Sequence, residues 1–139
     1  MELTGNAKSI TLAEISNFEK SYELKLPKSF IDFYLNANGG SPSTRYFEDY
    51  RIAAFCPIKH KPDNYNIEKN IEILKLSERL PEGFIPFAFD SGGWFFCLDT
   101  SERNYGSIYI LPNGMLDSDP IFIVSSFSKF IDGLSDEEY

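Results

Sequence analysis

The first third of the chain carries apolar residues at helical spacing. Ile15, Phe18 and Tyr22 fall on one face of a helix. Just before them, Thr11 and Glu14 have the form of a capping box, in which a hydroxyl caps the backbone and a carboxylate reaches back to it. The pattern therefore predicts a first helix that begins after Thr11.

A second helix is predicted from Pro27 onward, because a proline in the first turn has no N–H to leave unpaired. Apolar side chains surround most of this helix, which predicts a central position in the fold. They are Phe30, Ile31, Phe33, Tyr34 and Leu35. Residues 38–40, Asn-Gly-Gly, end the helix with residue types that tolerate positive φ.

Alternating apolar residues later in the chain predict strands. These strands cover residues 51–58, 84–89, 94–99, 107–111 and 121–124. Residues 90–93, Asp-Ser-Gly-Gly, are a turn that joins two of them into a hairpin. Pro86 inside a strand indicates either an edge position or a bulge, because proline cannot donate to the ladder. Residues 41–50 are predicted to form a polar and aromatic loop.

A third helix is predicted from Ile67, Ile71 and Leu74, although alternation across Ile71, Ile73 and Leu76 also fits a strand. A loop rich in Pro, Asp and Asn precedes it at residues 60–66.

A last helix is predicted after Ser125 or Ser126, either of which can cap it. Its inward residues are Phe127, Phe130, Ile131 and Leu134. The order of elements is helices, then mostly consecutive strands, then a helix. This order favours an α+β fold, with a mainly antiparallel sheet packed with N-terminal and C-terminal helices, over a βαβ winding.

The 139 residues have the size of one domain, predicted to span 1–139. No apolar run approaches the roughly 20 residues that cross a bilayer, so no membrane contact is expected. The first residues lack the basic and apolar regions of a signal peptide. Cys56 and Cys97 lie in apolar strand patterns and are predicted to be reduced and buried, as in a cytoplasmic protein.

The formal net charge of −8 opposes binding to a phosphate backbone, so direct contact with nucleic acid is not expected. A basic protein is a more natural partner, because complementary charge speeds encounter. Alternatively, the acidic balance serves solubility only.

Catalytic and metal-binding patterns are not found in the sequence. His60 is the only histidine and is predicted to be a solvated loop residue, too poorly placed to activate Cys56 or Cys97. One histidine and no clustered cysteines leave a zinc site without ligands. The acidic residues at 99–102 and 117–119 are interpreted as solvated turns in preference to a cation site. The sequence thus predicts a binding module without catalytic activity or cofactor.

Two segments are candidates for partner contact. Residues 46–50, Tyr-Phe-Glu-Asp-Tyr, mix aromatic and acidic side chains, a mixture that suits a protein interface. In the alternative interpretation, Phe47 and Tyr50 pack under the sheet. Trp94 follows a Gly-Gly turn that can hold its ring outward, or else it packs on the face of the sheet.

Two stretches of the chain resemble the SUKH superfamily, specifically its Smi/Knr type. The first runs from Ile15 through Phe18-Glu19 and Leu26-Pro27 to Asn38-Gly39-Gly40. The second runs from Leu80-Pro81 to Gly92-Gly93 and on to Cys97-Leu98-Asp99. Further matches are Gly106, Ile108-Tyr109, Phe127 and Phe130-Ile131. The resemblance covers about residues 11–134, and its specificity comes from the order and spacing of the motifs.

The resemblance implies a compact α+β domain and a role in binding other proteins. Bacterial members of the superfamily commonly act as immunity proteins that neutralise a cognate toxin domain, often a nuclease. Fungal members are regulators of cell-wall assembly with disordered flanks, and an intracellular adaptor of that kind is the alternative. Many relatives carry Asn where this chain has Trp94, which makes Trp94 a candidate for partner-specific contact. The predicted partner contacts are Tyr46, Phe47, Glu48, Asp49, Trp94, Asp117 and Asp119.

Overall fold

A computed structural model describes residues 1–60, 66–112 and 119–136 of the chain. The helices in these ranges are α1 (Leu12–Tyr22), α2 (Lys28–Asn36), α3 (Ile67–Leu76) and α4 (Phe127–Asp132). The first five strands are β1 (Leu3–Thr4), β2 (Ser41–Pro42), β3 (Tyr46–Phe47), β4 (Tyr50–Arg51) and β5 (Ala54–Phe55). The others are β6 (Phe84–Phe89), β7 (Phe95–Asp99), β8 (Ile108–Leu111), β9 (Ile121–Val124) and β10 (Leu134–Ser135).

The strands form one main sheet and two small ones. The main sheet has the order β5-β6-β7-β8-β9, and each neighbouring pair is antiparallel. A three-stranded sheet has the order β10-β3-β4, and β1 pairs with β2. The α+β class and the mainly antiparallel sheet predicted from the sequence are confirmed. None of the four helices found in the described ranges has the length and apolar content to cross a bilayer.

The capping box that opens α1 is present. The N–H of Glu14 donates to the hydroxyl of Thr11, and the N–H of Thr11 donates to the Glu14 carboxylate, each over 3.1 Å. The helix ends at Glu23, which takes a left-handed conformation with φ of 54°. Its N–H closes the last turn on the carbonyls of Glu19 and Lys20.

The α2 helix begins just after Pro27, which is the N-cap residue and not part of the first turn as predicted. Beyond its end, the segment 38–40 does more than stop a helix. Asn38 is buried, and its side chain bonds to the backbone of Ile58 and Lys8. A Cβ atom on Gly39 would lie only 2.8 Å from the backbone nitrogen of Pro57. Because Gly39 has no side chain, the backbone after α2 can pack directly against the backbone that follows β5.

Helices cover both faces of the main sheet. Phe96 and Cys97 are neighbours in β7, so their side chains point to opposite faces. The Phe96 ring contacts Phe130 of α4, whereas Cys97 belongs to a cluster with Leu74 of α3. Aromatic rings from α2, α4 and the sheet fill the larger core; they are Phe30, Phe33, Tyr34, Phe55, Phe87, Phe96, Phe127 and Phe130.

Several predicted elements differ from the structure for reasons of hydrogen bonding. The predicted strand 51–58 is divided between β4 and β5, because Ile52 donates to Arg45 while Ala53 donates to Phe89 of the main sheet. The predicted loop 41–50 contains β2, β3 and the start of β4. Pro86 lies in an inner strand, where the register shifts between Pro86 and Ala88, so the bulge is the correct alternative.

The other boundaries follow the sequence closely. Strands β6 and β9 have the predicted bounds, and α3 is a helix capped by Asn66, whose carboxamide oxygen accepts the N–H of Lys69. Ser126, the second of the two candidate caps, caps α4. Leu134 faces inward as predicted but belongs to β10 and not to the helix.

Candidate partner-binding surfaces

Tyr46 to Arg51 form a hairpin, here called the acidic hairpin. Tyr46 pairs with Arg51 and Phe47 pairs with Tyr50, which leaves Glu48 and Asp49 as an exposed two-residue turn. Glu48 has φ of 54°, a value that favours glycine at the first position of such a turn. The turn thus presents two carboxylates to solvent at the cost of a strained backbone.

Phe47 is buried and does not present its ring to a partner. Its ring stacks on that of Phe130 with centroids 5.1 Å apart, and it lies directly against Gly133. The prediction of Phe47 as a direct contact is therefore wrong, because the residue joins the acidic hairpin to the core. Tyr50 also packs against the core, whereas Tyr46 is half-buried.

Trp94 is half-buried, and its ring packs against the larger core cluster. Its backbone is fixed by Asp90, whose Oδ1 accepts the N–H groups of Gly92 and Trp94 over 2.9 Å each. The structure thus combines the two interpretations, since one part of the indole is anchored and the other remains accessible.

Trp94 and Asp119 lie at the same end of the main sheet. β6 ends and β7 begins there, joined by the turn at 90–93. β8 runs toward this end and β9 returns from it, so the exposed Asp119 just before β9 lies there too. Asp117 lies outside the described residues.

The base of the acidic hairpin adjoins the same end. The guanidinium of Arg45 donates to the carbonyl of Ala53 over 3.3 Å, and the N–H of Ala53 donates to the carbonyl of Phe89, the last residue of β6. The structure therefore connects the hairpin to the 90–93 turn. Asp119 lies toward the opposite edge, because β9 is the far edge strand.

A second surface was not predicted from the sequence. A cavity of about 630 Å³, here called the acidic groove, opens between the end of α1, α3 and the loops before β6 and after β7. Its apolar lining residues are Tyr22, Leu24, Ile71, Leu80, Pro81, Phe84 and Ile85. Its acidic lining residues are Glu23, Glu82 and Glu102.

Tight backbone contacts shape the acidic groove. The N–H and hydroxyl of Thr100 both donate to the carbonyl of Gly83, over 2.9 and 2.6 Å. Gly83 has φ of +84°, and a Cβ atom there would lie 3.3 Å from the nitrogen of Ser101. These contacts hold the loop before β6 against the loop after β7. The two loops together form one wall of the acidic groove.

The carboxylates of the acidic groove have no partner among the residues that the structure describes. In the described ranges, Glu23, Glu82 and Glu102 form no side-chain hydrogen bond or ion pair. Lys75 is the one basic residue among the groove's described lining residues. The three acids come from separate turns, so no local motif in the sequence could have grouped them. The Pro-Glu-Gly turn at 81–83 was the one sequence feature that indicated an exposed acid at this place.

Glu14, Lys59 and His60 form a third charged cluster. Glu14 Oε2 lies 2.6 Å from Lys59 Nζ and 3.3 Å from His60 Nε2, which lacks the alignment of a hydrogen bond. The hydrogen bond from Lys59 lowers the pKa of Glu14 to about 2, with further help from the N–H of Thr11. The His60 side chain is only 17% exposed, so the prediction of a solvated histidine is wrong.

Neither cysteine has the character of a nucleophile. Cys56 and Cys97 are buried free thiols, as predicted. Burial raises the pKa of Cys56 to about 12 and raises that of Cys97 as well. Both groups are therefore protonated near neutral pH and unreactive. Within the described ranges, no group of three His, Cys, Asp or Glu residues is placed to hold a metal ion.

A comparison with curated proteins finds no match of significance. The model of the SMI1 / KNR4 family (SUKH-1) matches residues 9–133, which include the helices α1 to α4 and the main sheet β5 to β9. The chain therefore belongs to the SMI1 / KNR4 family (SUKH-1).

Proposed function

We propose that this protein is an immunity protein, which binds and neutralises the toxin domain of a bacterial polymorphic or contact-dependent toxin system. Family membership supports a protein-binding role. The observation that carries the choice of partner is the set of free carboxylates in the acidic hairpin and the acidic groove, on a chain of net charge −8. Such surfaces favour a basic partner.

The proposed target is a nuclease domain. A nuclease holds a phosphate backbone and is therefore basic around its own site. Acidic side chains that cover that site compete directly with the nucleic acid. Inhibition by occlusion needs no reaction chemistry from the immunity protein, in agreement with the protonated, buried thiols of the described structure.

The proposed contacts outside the acidic groove are Tyr46, Glu48, Asp49, Trp94 and Asp119, with Asp117 retained as a prediction. Glu48 and Asp49 supply charge, while Tyr46 and Trp94 supply half-buried aromatic surface suited to an interface. Phe47 supports these contacts from beneath by anchoring the hairpin on Phe130. The buried free thiols support action in the reducing cytoplasm.

The test uses the C-terminal domain of the protein encoded directly upstream, which the proposal expects to be the toxin. We expect a one-to-one complex on size-exclusion chromatography and loss of nucleic-acid cleavage in a stoichiometric mixture. Unchanged cleavage in that mixture would overturn the proposal. The alternative, an adaptor of the cell-wall regulator type, predicts several partners of moderate affinity in quantitative affinity capture, with no inhibition of the toxin.

The acidic hairpin provides the matched variants for this test. The double variant Glu48→Gln/Asp49→Asn removes two charges with little change in shape, and we expect slower association and weaker binding. The control Glu2→Gln/Asp32→Asn removes two exposed acids elsewhere on the surface and is expected to bind like the wild type. Equal effects of both variants would indicate that net charge alone, and not the hairpin, directs binding.

A further inference from the structure

A buried ring joins the acidic hairpin to the end of α4. The ring of Phe47 stacks on that of Phe130, and it also lies against Gly133. A Cβ atom on Gly133 would be only 2.7 Å from Cε2 and 3.1 Å from Cδ2 of that ring. Phe130 and Gly133 thus form the site that receives the ring, here called the hairpin seat.

The backbone conformation of Gly133 does not require glycine. Its φ of −86° and ψ of −1° are in the right-handed helical region, which most residue types adopt. Glycine is needed there for space, because a methyl group would meet the Phe47 ring and would lie 3.2 Å from the carbonyl oxygen of Lys129. If the ring moved away from that methyl group, the acidic hairpin would move with it. If Gly133 moved, β10 would move, and β10 pairs with the hairpin.

The strand β10 holds the hairpin through a row of side chains. Leu134 pairs with Phe47, and Phe47 pairs with Tyr50, so the three side chains lie on one face of the three-stranded sheet. That face points inward, because Phe47 is buried and the other two pack against the larger core cluster. The next row therefore points away from the core, and its members are Ser135, Tyr46 and Arg51.

The backbone of the hairpin places the carboxylates of Glu48 and Asp49. In the part of the chain that the structure describes, neither carboxylate forms a side-chain hydrogen bond or ion pair. Glu48 also has φ of 54°, and a strained conformation of this kind persists only where the surrounding structure imposes it. Two strands of two residues are too short to impose it alone. We therefore assign the constraint to the hairpin seat and to β10.

We propose that Gly133 is a positioning residue for partner binding. By leaving room for the Phe47 ring, it holds Glu48 and Asp49 in the arrangement that the basic partner recognises. This inference rests on the proposed function and identifies what prepares the acidic hairpin for its partner. A turn that is fixed before binding loses less conformational entropy in the complex, so the hairpin seat increases affinity without adding a contact.

The first experiment needs no toxin and uses Gly133→Ala. NMR spectra of the ¹⁵N-labelled protein follow the amides of residues 46–51. The positive φ of Glu48 brings its amide and α protons close together, so a strong cross-peak between them reports the conformation of the turn. In the variant we expect shifted hairpin amides, faster hydrogen exchange and a weaker cross-peak. Unchanged hairpin signals would overturn the inference.

The control for general loss of stability is Leu74→Val. Leu74 is buried in α3, in the cluster on the other face of the main sheet. This change should lower the melting temperature and leave the hairpin signals like those of the wild type. Circular dichroism establishes that both variants fold, and the spectra are recorded below both unfolding transitions. The same hairpin changes in both variants would contradict the role of Gly133.

The substitution Phe47→Leu tests the steric contact directly. It removes the ring atom Cε2, which lies nearest to the methyl group added by Gly133→Ala. In the Phe47→Leu background, Gly133→Ala should therefore disturb the hairpin amides and partner binding less than it does in the wild type. Effects that simply add would show that the methyl group acts on α4 or on the partner itself, and would contradict the positioning role.

Binding kinetics with the C-terminal domain of the protein encoded directly upstream extend the test to function. Gly133→Ala leaves the net charge unchanged, so we expect an association rate within about twofold of the wild type and a dissociation rate about tenfold higher. The variant Glu48→Gln/Asp49→Asn, in contrast, should associate more slowly. A wild-type dissociation rate for Gly133→Ala, with its hairpin signals changed, would overturn the positioning role.

The outcomes separate this inference from the proposed function. If the wild type neutralises the toxin domain and Gly133→Ala dissociates from it no faster, the positioning inference fails alone. If the wild type does not bind that domain, the proposed function fails together with the binding part of this inference. The NMR comparison of the free proteins then still decides whether Gly133 fixes the acidic hairpin.

Discussion

The side-chain amide of Asn38 pairs with both backbone groups of Ile58. Asn38 Oδ1 accepts the N–H of Ile58 over 2.8 Å, and Asn38 Nδ2 donates to the carbonyl of Ile58 over 3.0 Å. The same Nδ2 also donates to the carbonyl of Lys8 over 2.9 Å. One buried amide thus joins the chain ahead of α1, the end of α2 and the segment that follows β5.

Replacement of Asn38 by alanine should destabilise the fold strongly. The change leaves the N–H of Ile58 buried without a partner, while the carbonyl of Ile58 still accepts the N–H of His60, so we expect a loss of about 1–3 kcal/mol in the free energy of unfolding. Urea denaturation measures it as a lower midpoint at an unchanged slope. Asn36→Ala, on the exposed last residue of α2, is the control, with an expected change within about 0.5 kcal/mol. Equal stabilities of the two variants would contradict the role of Asn38.

Gly39 and Gly5 offer a matched pair for the close approach of two chain segments. Both have positive φ, +79° and +71°, so alanine strains the backbone at either site. Only at Gly39 would the new Cβ atom also meet backbone, at 2.8 Å from the nitrogen of Pro57. We expect Gly5→Ala to cost about 1 kcal/mol and Gly39→Ala about 3 kcal/mol or more. Thermal or urea unfolding of both variants tests the difference, and equal costs would exclude the steric contribution.

Glycine at position 48 should separate the stability of the acidic hairpin from its binding. Glu48 holds a left-handed backbone at an exposed turn, so Glu48→Gly should raise the free energy of unfolding by about 1 kcal/mol. Glu48→Gln keeps the strain and should leave stability close to that of the wild type. Both variants remove the charge, and both should bind the toxin domain more weakly. A Glu48→Gly protein less stable than Glu48→Gln would show that the turn conformation carries no strain.

The carboxylate of Glu14 should make stability depend on pH in the acid range. Its pKa is lowered from 4.5 to about 2 in the fold, first by the hydrogen bond from Lys59. Because the folded-state pKa lies below the unfolded value, the ionised form stabilises the fold above about pH 4.5, and this contribution is lost as the pH falls toward about 2. Glu14→Gln should therefore be less stable than the wild type near neutral pH, with the difference disappearing through that interval.

Melting temperatures of the wild type and Glu14→Gln across the acid range provide the measurement. The variant Lys59→Met is the control, because it removes the largest cause of the shift and should shorten the interval over which stability is lost. A constant difference between wild type and Glu14→Gln at all pH values would disprove the linkage.

Local chemistry predicted a large part of this fold. The Thr11–Glu14 capping box and the bounds of β6 and β9 each depend on residues that lie close together in the sequence. Pro86 restricted its strand to an edge position or a bulge, and only the pairing in the structure decided for the bulge. Hydrophobic spacing was sufficient for α3 despite competing alternation, because Asn66 supplies a cap that fixes the start of the helix. The geometry of each of these features is determined by a few side chains that are neighbours in the sequence.

Pairing between distant segments was not predictable in the same way. The three-stranded sheet depends on the pairing of Leu134 with Phe47, which are far apart in the sequence. Its strands have only two residues each, which is too short for an alternating pattern to be recognised. The acidic groove likewise brings Glu23, Glu82 and Glu102 together only after three turns have folded. Aromatic residues such as Phe47 are ambiguous from sequence, because they suit a core and an interface equally well.

The pairing of β10 with β3 has a consequence for protein synthesis. Until Leu134 and Ser135 have left the ribosome, the ribbon made by β3 and β4 lacks its third strand, and a ribbon of that length is barely stable in water. The turn that carries Glu48 and Asp49 is therefore expected to become fixed only after the chain has been synthesised through β10.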